Sequence, residues 1–165
     1  MLIRREVAAD VPVIDAIHAA AFGRDVEKDL VTALRGSSAW LPALSLVAEV
    51  GGRVVGHVVC TRAHVAETPA LGLGPLGVSP PHQRTGVGSA LTHAVLGAAD
   101  ALAEPVVVLL GNPDYYRRFG FEQATGLGIE PPDPAWGRHF QVRRLSTYDS
   151  SVRGPFAYAQ PFTEL

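Results

Sequence analysis

Gln83-Arg84-Thr85-Gly86-Val87-Gly88-Ser89 is the stretch of this chain whose residue types and spacing best suit phosphate chemistry. Two close glycines enter a predicted helix directly after a predicted strand. A helix start offers backbone N–H groups without intrahelical partners and the positive end of the helix dipole, and together these attract phosphate. Gly86 and Gly88 remove side chains, so the backbone can touch phosphate oxygens, and Arg84 adds charge. The lysine and Ser/Thr of a P-loop, G-x-x-x-x-G-K-[ST], are missing. The dinucleotide fingerprint G-x-G-x-x-G also fails, because Leu91 stands where its third glycine belongs. Taken alone, a G-x-G step can equally serve only to shape a turn and pack a helix on a sheet.

The elements around this loop must position it. Leu71 to Val78 reads as a strand, broken in texture by Gly72, Gly74, Pro75 and Gly77; such residues in a strand mark a bulge or a close backbone approach. Pro80-Pro81 ends it. A helix follows from Gly86 to Ala103, with Val87, Leu91, Val95, Ala98 and Leu102 on one stripe. Pro105 stops it, and Val106 to Leu110 is a continuous apolar run that suits a strand buried on both faces. Residues 71–110 are therefore expected to form one right-handed βαβ crossover.

Upstream, Ile3 to Val7 reads as an edge strand. Asp10 is placed to cap a helix with Pro12 in its first turn, and Asp25 opens a second helix with Val26, Leu30 and Leu34 on one stripe and Gly36 as its stop. Leu44 to Val50 and Arg53 to Arg62 are strands joined by the Gly51-Gly52 hairpin turn. Residues 64–70 read as a loop. Downstream, Asp114 to Phe119 reads as a short helix, Gly120-Phe121 begins a short strand, Ile129 to Trp136 is a proline-rich loop, and Gln141 to Leu145 is a strand. The segment from Thr147 onward is left unassigned.

At 165 residues, with 47% apolar and 18% charged residues, the chain suits one globular domain spanning residues 1–165. The formal net charge of −2 and the absence of a basic block argue against nucleic acid as a partner. The single cysteine, Cys60, excludes internal disulfides and a cysteine-based zinc cage, and no His/Asp/Glu spacing suggests a metal. No run approaches the roughly 18 apolar residues of a membrane span, and no leader-like segment follows Met1, so a soluble cytoplasmic protein without membrane partners is expected.

Leu76-Gly77-Val78-Ser79-Pro80-Pro81-His82-Gln83-Arg84-Thr85-Gly86-Val87-Gly88 resembles the coenzyme A segment of the GNAT N-acetyltransferases. That family carries Q/R-x-x-G-x-G/A after its fourth strand, and Gln83-Arg84-x-Gly86-x-Gly88 matches it. Tyr116-Arg117-Arg118-Phe119-Gly120-Phe121, following Asn112, is similar to the family's tyrosine, three-residue, Gly-Phe ending. The run Leu71 to Leu76, the Asn112-Pro113-x-Tyr115-Tyr116 step and Tyr158-x-x-Pro161-Phe162 resemble the YhbS-type branch of predicted acetyltransferases. The resemblance covers nearly the whole chain.

It implies an α/β fold: a mostly antiparallel mixed sheet of six to seven strands with a splayed parallel pair, flanked by helices on both faces. It implies acetyl-CoA as co-substrate, no metal, and direct transfer of an acetyl group to a primary amine of a small molecule or peptide. The amides of Arg84, Thr85, Gly86, Val87, Gly88 and Ser89 would hold the pyrophosphate. Leu76, Gly77 and Val78 would pair with the pantetheine arm, and an N–H near Gly77 or Val78 would face the thioester oxygen. Tyr116 falls at the general-acid position; a phenol of pKa ~10 stays protonated at neutral pH and can donate to the departing thiolate. Tyr115 is adjacent, and a one-residue shift would exchange their roles. Asn112 is a candidate either to bond the cofactor or to cap the short helix. A homodimer is a further possibility.

Strand 71–78 holds no carboxylate, so the general base is open between Glu49, His57 and water. His18 and His93 read as helix-surface residues, His82 as a loop residue, and Cys60 as a packing residue. The acceptor site is expected among the first two helices, the 64–70 loop and the 131–136 loop, with Trp40 and Trp136 as candidates to line it. The alternative function is a non-catalytic acyl-CoA-binding sensor or regulatory module, which fold alone does not separate from an enzyme.

Overall fold

The computed structural model describes all 165 residues. Strand β1 (Leu2–Arg5) leads to helices α1 (Val11–Phe22) and α2 (Val26–Arg35), then to the antiparallel strands β2 (Ser45–Val50), β3 (Arg53–Val65) and β4 (Thr68–Val78). Helix α3 (Val87–Ala101) crosses to β5 (Val106–Leu110), which is followed by α4 (Pro113–Tyr116) and the short strands β6 (Glu122–Gln123) and β7 (Ile129–Glu130). Strands β8 (Phe140–Arg144) and β9 (Gly154–Ala157) and helix α5 (Gln160–Thr163) complete the chain.

The main sheet runs β1-β2-β3-β4-β5-β8-β6, and β9 joins it by pairing with the far end of β3 and with β7. It is a mixed sheet, antiparallel except for β4 with β5 and the small β7–β9 pair. Period-2 alternation divides its two faces. Leu46, Ala48, Val58 and Cys60 join Val87, Leu91 and Val95 of α3 on one face. Val47 turns the other way, onto Ile14 of α1 and Val31 of α2. Helices thus cover both faces, as the resemblance implied.

Strands β4 and β5 pair at Leu71↔Val107 and Gly72↔Val108, and the register goes no further. Strand β4 continues for six residues beyond Gly72, held on its other side by β3 as far as Gly56↔Val78. The parallel pair is therefore joined at one end and separate at the other, and the loop into α3 begins at the separate end.

Three sequence expectations change. Residues 64–70 are not a loop: β3 and β4 run on as a hairpin to Val65↔Thr68. Its turn uses Ala66 at φ 50, a left-handed conformation taken without glycine, so no turn signature marks it. Asp10 precedes α1 but does not cap it; its carboxylate accepts the Val7 N–H at 2.8 Å and the Arg4 guanidinium. The stretch Ile129 to Trp136 holds the two residues of β7 and a 3-10 turn over Pro134–His139. The unassigned end supplies β9 and α5, and Phe162 packs on the small cluster of Leu30, Leu34 and Ala159.

Candidate functional site

Helix α3 starts without a side-chain cap. Gly86 occupies its N-cap position at φ 92, and Ala90 is the first residue whose N–H closes onto the helix, at the Gly86 carbonyl. Val87, Gly88 and Ser89 thus present the unpartnered amides of a helix start. Arg84 just before them is also left-handed, at φ 62. The loop is braced from both ends: Gln83 Nε2 donates to the Val78 carbonyl at 3.0 Å, and Thr85 Oγ1 donates to the His82 carbonyl.

This entrance opens into a cavity of about 600 Å³. Gln83, Arg84, Gly86, Gly88 and Ser89 form one wall, and Leu76 and Val78 of β4 form another. Ala21 and Phe22 of α1 close it on the far side, with Tyr115 of α4 and Arg118 just after that helix. Seven of the residues anticipated from the sequence meet here. Five do not line the cavity, Tyr116 among them, because its ring is turned under α4 onto Gly111. Thr85 is turned onto His82, Val87 is buried under the sheet, Gly77 faces α1, and Asn112 Oδ1 accepts the Asp114 N–H at 3.0 Å as the cap of α4.

Arg118 is a cation at the cavity that the sequence did not flag; its guanidinium stacks over the Tyr115 ring at 4.7 Å. Its position two residues past Tyr116, inside the Tyr-x-x-x-Gly-Phe step, was the available signal. Phe22 was equally missed, because an apolar residue at the end of a helix reads as core.

Tyr115 and Tyr116 diverge. A Cβ on Gly88 would stand 3.0 Å from the Tyr115 hydroxyl, so that hydroxyl reaches the glycine loop. The Tyr116 ring instead covers Gly111 at the end of β5, where a Cβ would meet its Cε2 at 2.6 Å. Burial, with a smaller effect of Tyr115, pushes the Tyr116 phenol up to about 12. It stays protonated at any physiological pH. Tyr158 packs against Gly72 from the C-terminal segment, and its hydroxyl lies by the Leu110 amide. Two phenols therefore flank the open end of the β4–β5 pair.

The base candidates are placed as follows. Glu49 lies on β2 in an ion pair with Arg4 at 2.9 Å, outside the cavity wall. His57 is fully buried, with Nε2 at 2.8 Å from Ser45 Oγ and 3.4 Å from Glu6 Oε2. Its Nδ1 lies 2.8 Å from Nε2 of His18. His18, expected on the helix surface, is fully buried. It stands four residues after Ile14 and one after Ile17, on the stripe of α1 that packs on the sheet, and the His57 contact satisfies one of its nitrogens. Cys60 is buried among apolar side chains, and burial pushes its thiol well up, which keeps it in the unreactive form. No group of His, Cys, Asp and Glu is arranged to hold a metal. No helix is long and apolar enough to cross a membrane. Trp40 packs on α2 under Arg35, and Trp136 packs against Phe140 and Tyr158.

Comparison with known proteins adds to this geometry. Residues 3–124 match the family described as "Acetyltransferase (GNAT) domain". The chain is 34% identical over 157 residues to the uncharacterized N-acetyltransferase YhbS of Escherichia coli K12, covering 93% of this chain and 92% of that one. It is 32% identical over 161 residues to the uncharacterized N-acetyltransferase YjhQ of the same organism, covering 93% and 89%. The crystal structure of Escherichia coli YhbS in complex with CoA superimposes with a TM-score of 0.91 at 33% identity, covering 98% of this chain and 91% of that one. A GNAT family acetyltransferase from Brucella melitensis in complex with acetyl-CoA gives 0.81 at 31% identity, covering 98% and 97%.

Proposed function

The chain belongs to the GNAT N-acetyltransferase family, and from that premise we propose that it uses acetyl-CoA to acetylate a primary amine of a small molecule or peptide. The observation that carries the reading is the uncapped entrance of α3 opening onto the cavity beside the separated ends of β4 and β5. The relatives that contain CoA and acetyl-CoA support the choice of thioester.

In this reading residues 1–165 act as one domain. The amides from Arg84 to Ser89 grip the pyrophosphate, where orphan N–H groups and the helix dipole both favour negative charge. Arg84 and Arg118 add positive charge to the same cavity. The unpaired edge of β4 around Leu76, Gly77 and Val78 receives the pantetheine arm, and a backbone N–H there stabilises negative charge on the thioester oxygen. Tyr116 donates its proton to the departing thiolate. The acceptor amine attacks directly, consistent with the only thiol being buried and unreactive. Asn112 holds α4, and with it Tyr116, in position.

Calorimetry with acetyl-CoA, followed by detection of free CoA thiol with a panel of primary amines, tests the reading. Saturable binding and amine-dependent thiol release are expected. Absence of heat and of thermal protection at millimolar acetyl-CoA would remove it.

A further inference from the structure

Helix α4 is a single turn, too short to be rigid by itself, so what fixes Tyr116 must be found at its two ends. Both ends are tied to β8 by side chains from one face of that strand. Gln141 and Arg143 alternate along it with the apolar Phe140 and Val142, which face the other way. Gln141 Nε2 donates at 3.0 Å to the carbonyl of Gly111, the residue just before the cap of α4. Arg143 Nε donates at 2.8 Å to the carbonyl of Phe119, past the far end.

Of the two, Gln141 is the one whose presence calls for a reason. It is only 2% exposed, and a buried amide costs free energy unless its polar atoms find partners. Its nitrogen bonds the Gly111 carbonyl and lies 3.4 Å from that of His139. Carbonyls only accept, so the nitrogen of the amide, and not its oxygen, faces them. The Gly111 N–H donates in turn to the His139 carbonyl at 2.9 Å. Gly111 is thus tied to β8 through both its N–H and its carbonyl, one step beyond the last β5–β8 pair, Leu110↔Phe140.

Gly111 is also the seat of the Tyr116 ring, which lies where a side chain would otherwise stand. The ring's other neighbours are themselves rings. Tyr115 and Phe121 meet it edge to face, with centroids 4.9 and 5.7 Å away. Such contacts leave a phenol room to slide, whereas a backbone hydrogen-bonded on both sides does not. The rigid part of the Tyr116 seat is therefore Gly111.

We infer that Gln141 is a positioning residue: by holding the Gly111 carbonyl it fixes the backbone on which Tyr116 lies, and with it the place of the phenol that protonates the departing thiolate. The inference rests on the acid role given to Tyr116 above. Gln141 touches no reacting atom and neither gains nor loses a proton. Its contribution is geometric, of the kind in which a displacement of about 1 Å can cost up to about 100-fold in rate.

Carbon-13 NMR of protein labelled at the tyrosine ζ carbon reads the surroundings of each phenol without turnover, and Tyr116→Phe assigns the signal of Tyr116. Gln141→Leu keeps a side chain of similar size and removes the donor. It should shift or broaden the Tyr116 signal in the free protein while leaving that of Tyr148 in place. An unmoved Tyr116 signal overturns the inference, and so does a change of equal size at Tyr148, which marks general loosening.

CoA release from acetyl-CoA with ethylamine and tyramine supplies the kinetic arm. Gln141→Leu should lower kcat about tenfold and leave the acetyl-CoA Kd within about twofold. In a Tyr116→Phe background the same change should cost nothing further in kcat, because the group it positions is gone. An equal loss in both backgrounds means a structural role and overturns the inference. Should Gln141→Leu not fold, Gln141→Met removes the same donor with a more adaptable side chain and carries both arms. Failure of the transfer reading shows in the wild-type protein and failure of the acid role in Tyr116→Phe alone, whereas failure of this inference shows only in the Gln141 variants.

Discussion

The hydroxyl of Tyr115 and the backbone of Gly88 approach so closely that a single methyl group on the glycine would stand 3.0 Å from the phenol oxygen. The next residue, Tyr116, turns its ring away to cover Gly111. Consecutive residues on one short helix, their rings edge to face at 4.9 Å, thus meet different neighbours. One reaches the glycine loop, the other the end of β5.

That division gives different expectations for two conservative changes. Tyr116→Phe should lower kcat about 100-fold with little change in acetyl-CoA Kd, because Phe fills the same space over Gly111. Tyr115→Phe should weaken acetyl-CoA binding by severalfold and leave kcat close to normal. Steady-state thiol release and calorimetry on both variants check this, and a reversal of the two patterns would exchange the roles.

Gly88→Ala separates binding from folding. Gly88 lies in the first turn of α3, where alanine is the better helix former by about 1 kcal/mol. The variant should unfold close to the wild-type temperature, because the tight approach of the new methyl to the Tyr115 hydroxyl offsets that preference. Its methyl group intrudes where the proposed function seats the pyrophosphate on the backbone, so the acetyl-CoA Kd should rise tenfold or more. Tight binding by a stable Gly88→Ala protein would show that this amide is not part of the grip.

Gly77→Ala tests the fit of β4 on α1. The added Cβ would lie 2.7 Å from His18 Nδ1, and His57 backs the ring from behind, so the ring has little freedom to retreat. A loss of about 1–3 kcal/mol in urea-unfolding stability is expected. An unchanged urea midpoint would mean that His18 packs elsewhere.

Stability should fall on mild acidification. His18 has its pKa lowered from 6.5 to about 3 in the folded state, and burial lowers His57 as well. Between those values the unfolded chain binds more protons than the folded one, so stability rises with pH and is lost as pH drops from about 6.5 toward 3. Glu6, lowered from 4.5 to about 2, adds a loss of the same sign below pH 4.5. Each group contributes a slope of at most about 1.4 kcal/mol per pH unit. Urea midpoints measured from pH 7 to 4 check this, and a flat profile would contradict neutral burial of the two histidines.

The glycine loop that enters α3 is legible because its signals are local: a strand end at Pro80-Pro81, glycines at 86 and 88, and an apolar stripe from Val87. The parallel pairing of β4 and β5 followed from the unbroken Val106–Leu110 run. His18 reads as a surface residue from the sequence, and the reason it is buried lies elsewhere in the chain. Its spacing from Ile14 already put it on the buried stripe, but residue type argued for the surface, and only the His57 contact across 39 positions explains its burial. The 66–67 turn escaped notice because Ala66 adopts its positive φ without glycine or asparagine. Arg118 reaches the cavity through the geometry of the turn after α4, which no periodicity encodes.

The buried state of Cys60 has a practical consequence at the bench. A colorimetric reagent for free sulfhydryls should give no background from folded protein, so product can be followed continuously without alkylating the sample first. On adding denaturant, each molecule that opens should contribute one equivalent of colour, and the same cuvette then reports how much of the preparation had been intact.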